Sequence, residues 1–274
     1  MSQELKKADP EIIVNQWLRR LISAAFVAGC ALEIICLWWP MHWPDGTNWL
    51  DAALLILATA GTLAALARHS PLQNVLFAAA IIAIGGGAME WLNAKMEIPF
   101  GPIVFEIAGP KIFNALPWAI PLVWIVVILN ARSVARLMLR PWRKTKTYGF
   151  RLIGLTAALA AVFDFALEPF ATLVKKFWFW ETTKFPATWQ GAPLVNFLSW
   201  AVVAILILAF ITPLLINKQL SKRRGPDLYP LVIWLGGILL FGAGCAAQKI
   251  WPAAAADAVI GILTAIFAVR GAKW

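Results

Sequence analysis

Charge is scarce in this chain. Only 14% of its 274 residues are charged, and only 14 residues are acidic. A soluble domain carries about 25% charged residues, so an ordinary water-soluble enzyme is excluded. Histidine is limited to His42 and His69, which are expected on opposite sides of the fold. A histidine-rich di-iron site or a bis-histidine haem is therefore excluded. The three cysteines, Cys30, Cys36 and Cys245, all fall in apolar runs without a CxxC pair. They read as buried small hydrophobes rather than disulfide partners or metal ligands. No DDxxD, Walker loop, GxGxxG or GxSxG occurs, which removes typical prenyltransferases, P-loop and dinucleotide-binding enzymes, and serine hydrolases. Long linkers and low-complexity segments are also missing, so residues 1–274 read as a single integral membrane domain.

What is present is hydrocarbon. Apolar residues make up 61% of the chain, and the mean hydropathy is +0.74. A bilayer core of about 30 Å needs roughly 20 apolar residues per helix. Eight stretches meet or approach that length: Leu21–Trp39, Leu50–Leu66, Gln73–Leu92, Ile112–Asn130, Phe150–Val174, Ala192–Ile216, Tyr229–Gln248 and Ala253–Val269. Backbone polar groups in lipid must be paired internally, so these runs predict helices and an all-α polytopic bundle. Gly85-Gly86-Gly87 falls inside a span and marks a close approach of helices rather than a phosphate loop. Asp9-Pro10-Glu11 is a helix-start signal. It predicts a short interfacial helix over residues 1–20, ended by Arg19 and Arg20, that feeds the first span. A cleaved signal peptide is not expected, since no clear small-residue site follows Trp38-Trp39-Pro40.

With the N-terminus placed in the cytoplasm, 18 of the 24 Lys and Arg residues fall on the cytoplasmic side and 6 on the other. That bias fits eight spans with both termini inside. It also accounts for the net charge of +10 without any nucleic acid. The run Arg132–Arg151 reads as a topology anchor able to touch anionic lipid. Nine tryptophans (Trp38, Trp39, Trp43, Trp49, Trp91, Trp178, Trp180, Trp189 and Trp251) gather at the non-cytoplasmic boundary. They predict an interfacial belt, or an aromatic-lined cavity opening on that side.

An acidic side chain at mid-bilayer costs about 2.5–3.5 kcal/mol on insertion scales, so each one needs a reason. Glu33, Glu90, Asp164 and Glu168 lie within or at the ends of spans, in the outer half or at mid-depth. Asn114 and Asn196 are expected at the same depth, so six polar groups from five helices are predicted to converge. Asp164 and Glu168 stand four residues apart and share a helix face. Two carboxyls that close in a poor dielectric do not both ionise readily, so a proton stays available to a general acid. Pro169 follows at once and frees a carbonyl near Phe165 for water or substrate. The bland alternative is interhelical hydrogen bonding by protonated acids. A proton- or solute-coupled transporter and a pigment- or lipid-binding protein without chemistry both fit the same acids. A transporter would need inverted repeats or a polar path to the other side, and neither is evident.

From Glu90 onward a series of short motifs follows in order. They are Gly87-Ala88-Met89-Glu90, Ile98-Pro99-Phe100-Gly101, Ala108-Gly109-Pro110, Leu116-Pro117-Trp118 and Pro121-Leu122-Val123-Trp124. After the basic loop come Asp164-Phe165-Ala166-Leu167-Glu168-Pro169, Phe177-Trp178-Phe179-Trp180 and Gly191-Ala192-Pro193-Leu194-Val195-Asn196-Phe197-Leu198-Ser199-Trp200. Over residues 85–205 this resembles the membrane carotenoid biosynthesis protein family, which includes carotenoid 1′,2′-hydratases and the hydratase of the bacterioruberin pathway. Three features depart from the family pattern. Pro102-Ile103-Val104-Phe105 stands where tyrosines are usual. Glu168 replaces the second of two aspartates. Thr182, Thr183 and Lys184 occupy a loop where a tyrosine is usual.

The resemblance implies hydration of an acyclic carotenoid end in a lipid bilayer, with water as co-substrate and no metal, flavin or other cofactor. It implies Asp164 or Glu168 as acid with the partner carboxylate positioning water, and Glu90 and Asn196 completing the hydrogen-bond shell. Trp180 and Trp200 would face the developing cation, with Phe100, Trp118, Pro193 and Phe197 lining the substrate. A bacterial plasma membrane is the expected location.

Overall fold

The computed structural model describes residues 10–39, 48–107, 109–182, 187–215 and 225–274, with the side chains of 10–15 and 48 left aside. Asp9, His42, Trp43, Ala108, Thr183, Lys184, Lys218, Lys222, Arg223 and Arg224 lie outside the described residues. The helices are α1 (Pro10–Trp38), α2 (Asn48–Ala67), α3 (Leu72–Met96), α4 (Ala119–Met138), α5 (Tyr148–Pro169), α6 (Leu194–Ile211), α7 (Tyr229–Ala247) and α8 (Trp251–Ala272). All eight are long and apolar enough to cross a membrane. The chain is an integral membrane helix bundle.

The helices alternate in direction. The end of α2, the end of α4, the start of α5, the end of α6 and the start of α7 all line one cavity. On that same face Arg19 of α1 pairs with Asp227 at 2.6 Å, and Arg140 donates to the Ala272 carbonyl at the end of α8 at 3.1 Å. This is the arginine-rich face. α4 is the most enclosed helix, while α1 and α8 are the least. Trp124 in α4 and Trp234 in α7 are fully buried.

Two boundary expectations change. α1 is continuous from Pro10, with no separate interfacial helix, because no Gly or Pro interrupts it before Gly29. Arg19 does not end that helix but is buried within it on Asp227. The fourth span begins at Ala119 rather than Ile112, since residues 111–117 form a tight hairpin instead.

On the face opposite the arginines, the long α3–α4 and α5–α6 connections fold into short strands. β1 (Ile103–Phe105) pairs antiparallel with β4 (Trp178–Trp180), in register Ile103 to Trp180. β2 (Lys111–Ile112) pairs with β3 (Leu116–Pro117), and β5 (Thr188–Trp189) with β6 (Ala192–Pro193). Further bonds extend the β1–β4 seam: Glu106 and Ile107 donate their amides to the Phe177 carbonyl, and Glu181 donates to that of Pro102. The two connections thus form one cap over the bundle. The glycine run packs as expected. A side chain at Gly86 would collide with the Trp124 ring, and a Cβ at Gly85 or Gly87 would come within 3.3 Å of Ile207 or Pro121.

The tryptophans divide. Trp38, Trp39, Trp49, Trp91 and Trp251 remain more than one-third exposed and suit a belt. Trp178, Trp180 and Trp189 turn inward under the cap. Cys30 and Cys245 are buried, Cys36 is half-buried, and all three are free thiols.

Candidate active site

Three helices and the cap bring four of the expected polar side chains together. Asp164 and Glu168 project from one face of α5, both almost fully buried. Asn196 stands in the first turn of α6, whose helical start carries partial positive charge toward the two acids. Its side-chain amide donates to Asp164 Oδ2 at 2.6 Å and to Glu168 Oε1 at 3.4 Å. An amide nitrogen has two hydrogens, and both are spent on carboxyl oxygens. Glu90 enters from α3 and accepts the Trp124 indole N–H at 3.4 Å.

The cap completes Glu168. In a strand, side chains two residues apart share a face, so Trp178 and Trp180 of β4 point the same way. Both donate their indole N–H to Glu168 Oε2, at 3.2 and 2.9 Å. Asp164 is less occupied: its other oxygen accepts no hydrogen bond among the described residues.

Between these groups lies a chamber of about 20 Å³, lined by Glu90, Asp164, Glu168, Asn196 and the rings of Trp124, Trp178, Trp180 and Trp200. One water needs about 10–15 Å³ by the same measure, so the chamber is water-sized. A second cavity, about 310 Å³ and mainly apolar, lies against it among α1, α2, α4, α5 and α7. The two share Ile120, Val123, Leu167 and Trp178 as a common wall. Trp118 lines the larger cavity.

Phe100, Pro193 and Phe197 support the chamber from behind. Phe100 packs on Trp124 and Trp200, which stack on each other with ring centres 3.8 Å apart. Pro193 lies 3.1 Å from where a side chain at Gly101 would begin, and Gly101 has φ +117°. That backbone conformation and the close approach together require glycine there. Phe197 meets Phe165 edge to face. The carbonyl expected near Phe165 is already used, accepting the Trp189 indole N–H at 3.2 Å. Beyond Pro169 the helix loosens into a π-helical turn over Phe170–Val174, so the chain wound beyond the proline is still paired.

Two expected members are elsewhere. Asn114 sits exposed in the β2–β3 turn with φ +57°, because the fourth helix starts later than its hydropathy suggests. Glu33 is buried but belongs to a separate ion cluster, in which Lys175 bonds Glu33 and Asp51, the latter at 2.9 Å. Burial alone would lower the Lys175 ammonium, but the Asp51 and Glu33 carboxylates outweigh it and hold it above the usual lysine range. Lys175 and Asp51 line the outer end of the apolar cavity.

Other residues gain importance only in three dimensions. Asn93 is buried and accepts the Phe100 and Gly101 amides at 2.8 and 3.1 Å, while donating to the Gly101 carbonyl at 2.8 Å. Asp257 in α8 is a further buried acid, with one oxygen left without a donor. Its place within the last apolar run was a signal available from the sequence.

The sequence profile of the family described as Carotenoid biosynthesis protein matches residues 50–264. The chain belongs to that family. The matched region holds the chamber and most of the apolar cavity, so the carotenoid biosynthesis family and this site occupy the same part of the molecule. Among curated proteins, it is 27% identical over 164 residues to a bisanhydrobacterioruberin hydratase of Haloarcula japonica. That alignment covers 56% of this chain and 52% of the relative, so the chain spans about half the length of the protein it matches. No solved structure matches the chain.

Proposed function

We propose that this member of the carotenoid biosynthesis family is a hydratase that adds water across the terminal C1′=C2′ double bond of an acyclic carotenoid end. The observation that carries the reading is the pairing of cavities: a water-sized, carboxyl-lined chamber abuts a larger apolar one. Hydration of an alkene needs that division, with hydrocarbon held in one space and one water with its acid and base in the other. The name of the Haloarcula japonica relative supports the same chemistry.

Asp164 is cast as the acid, since one of its oxygens is left free of N–H donors to carry a proton. Its proton goes to C2′, the double-bond electrons form the new C–H bond, and a tertiary cation remains at C1′. The chamber water attacks C1′ through oxygen. Glu168, held by Trp178, Trp180 and Asn196, orients that water, and a carboxylate takes the released proton. Glu90 and Asn196 complete the polar shell. The indole faces of Trp180 and Trp200 suit the transient positive charge. The pigment enters laterally from lipid, and its end group lies in the apolar cavity past Trp118. No metal, flavin or dioxygen takes part in these steps.

The test is pigment analysis in a carotenoid-producing host expressing the chain in ¹⁸O-labelled water. Tertiary alcohols carrying the label are expected. Asp164→Asn and Glu168→Gln should each abolish them while the protein still accumulates in membranes. Hydroxyl oxygen drawn from dioxygen, or undiminished turnover in both variants, overturns the mechanism. A protein that retains pigment yet never changes it is a binding protein instead.

A further inference from the structure

The arginine-rich face holds a cavity of about 230 Å³ that the hydratase reading does not use. Its walls include Arg132, Arg136, Arg140, Arg143, Tyr148 and His69. Arg132 is the unusual member. It is only 5% exposed, and it lies six residues before the end of α4, about 9 Å into the bundle at 1.5 Å per residue. No hydrogen bond or ion pair engages its guanidinium among the described residues, and Arg136, another cation, stands one turn further along α4.

An ionised guanidinium buried without a counter-charge is costly, and a second arginine beside it adds repulsion. Asp227, the one acid in the cavity wall among the described residues, does not relieve it. Asp227 is held by Arg19 at 2.6 Å, with Arg68 and His69 also within 4 Å of the same oxygen. Arg140 is partly committed to the Ala272 carbonyl. Arg136 and Arg143 are exposed, carry no ion pair among the described residues, and flank the opening. Among the described residues, the forks of Arg132, Arg136 and Arg143 and the Tyr148 hydroxyl are donors without matching acceptors. Planar guanidinium forks match phosphate oxygens in pairs. The space far exceeds the roughly 10–15 Å³ of one water.

We propose that this cavity is a binding site for a phosphate-bearing anion, with Arg132 at its base and Arg136 and Arg143 at its mouth. The phosphate is carried by a lipid headgroup or arrives as free phosphate or diphosphate. The site lies on the face opposite the acid chamber, and it stands whether or not the chamber performs hydration.

The full chain, purified in detergent, tests this by native mass spectrometry and thermal unfolding. Phosphatidylglycerol and phosphatidylcholine nanodiscs probe the lipid source. Inorganic phosphate and diphosphate, against chloride at matched ionic strength, probe the soluble source. Selective retention of phosphatidylglycerol, or saturable stabilisation by phosphate or diphosphate beyond chloride, is expected. The paired change Arg136→Gln and Arg143→Gln should weaken that binding roughly 10–100-fold, as loss of charge-assisted bonds does. Arg132→Met should abolish it. If Arg132→Met does not fold, the exposed pair decides. Equal behaviour of chloride and phosphates together with equal retention of both lipids overturns the proposal, as does unchanged binding in the paired variant.

Discussion

Trp180 reaches across from the cap and donates its indole N–H to Glu168 at 2.9 Å. That bond joins a short strand outside the bundle to a carboxyl inside it. The strand is held by pairing with the α3–α4 connection, so the acid on α5 is set by two segments more than seventy residues apart in sequence. Trp180→Phe keeps an aromatic face and removes the donor. A hydrogen bond to a charged group contributes about 1.5–3 kcal/mol, so under the proposed mechanism hydration should fall roughly 10–100-fold. Phe179, between the two tryptophans, is 42% exposed, and Phe179→Leu should leave the rate nearly unchanged. Product formation per unit of membrane protein checks both.

Asn93 should matter for stability more than its position on α3 suggests. Asn93→Ala would leave the buried Phe100 and Gly101 amides without their acceptor. Each unsatisfied buried donor costs about 1–3 kcal/mol. The detergent-solubilised variant should therefore unfold at a clearly lower temperature than the parent.

The apolar cavity can be filled without touching the acids. Ala58 of α2 lines it and does not line the chamber. Ala58→Phe should raise the pigment concentration needed for half-maximal turnover, or exclude bulkier end groups, while a small acyclic substrate still reacts. A uniform loss with every substrate would place the hydrocarbon elsewhere.

Orientation can be read by chemistry on intact cells. After the three native cysteines are replaced, Lys146→Cys on the arginine-rich face and Phe179→Cys on the cap serve as reporters. An impermeant thiol reagent should label the second and not the first, following the excess of basic residues on the cytoplasmic side. Labelling in the reverse sense would invert the assignment.

Much of this architecture was readable from residue order. Eight apolar runs gave eight helices, and acids in hydrocarbon pointed to Glu90, Asp164 and Glu168 because burying them needs a compensating gain. The i, i+4 spacing placed two of them on one face. The cap was not readable, because β1 and β4 are three residues each and a period of two cannot be recognised over so short a run. Hence residue order leaves Trp178 open between a boundary belt and an aromatic cavity lining, and strand pairing turns it onto Glu168. Glu33 shared the predicted depth but not the site, since Lys175, just past the π-helical turn that follows α5, captured it. Depth along a helix is legible from hydropathy; the direction in which a side chain leaves the helix is set by tertiary packing.

The wall shared by the chamber and the apolar cavity has a consequence for how such a protein can change. Ile120, Val123, Leu167 and Trp178 belong to both spaces, but half of the remaining lining of the larger cavity comes from α1, α2 and α7, which contribute nothing to the chamber. Those three helices are therefore a separable surface for diversification. Replacements along them would reshape the apolar cavity while Glu90, Asp164, Glu168 and Asn196 on α3, α5 and α6 kept their geometry. Selection for a new pigment end and selection for the acid constellation would act on different helices.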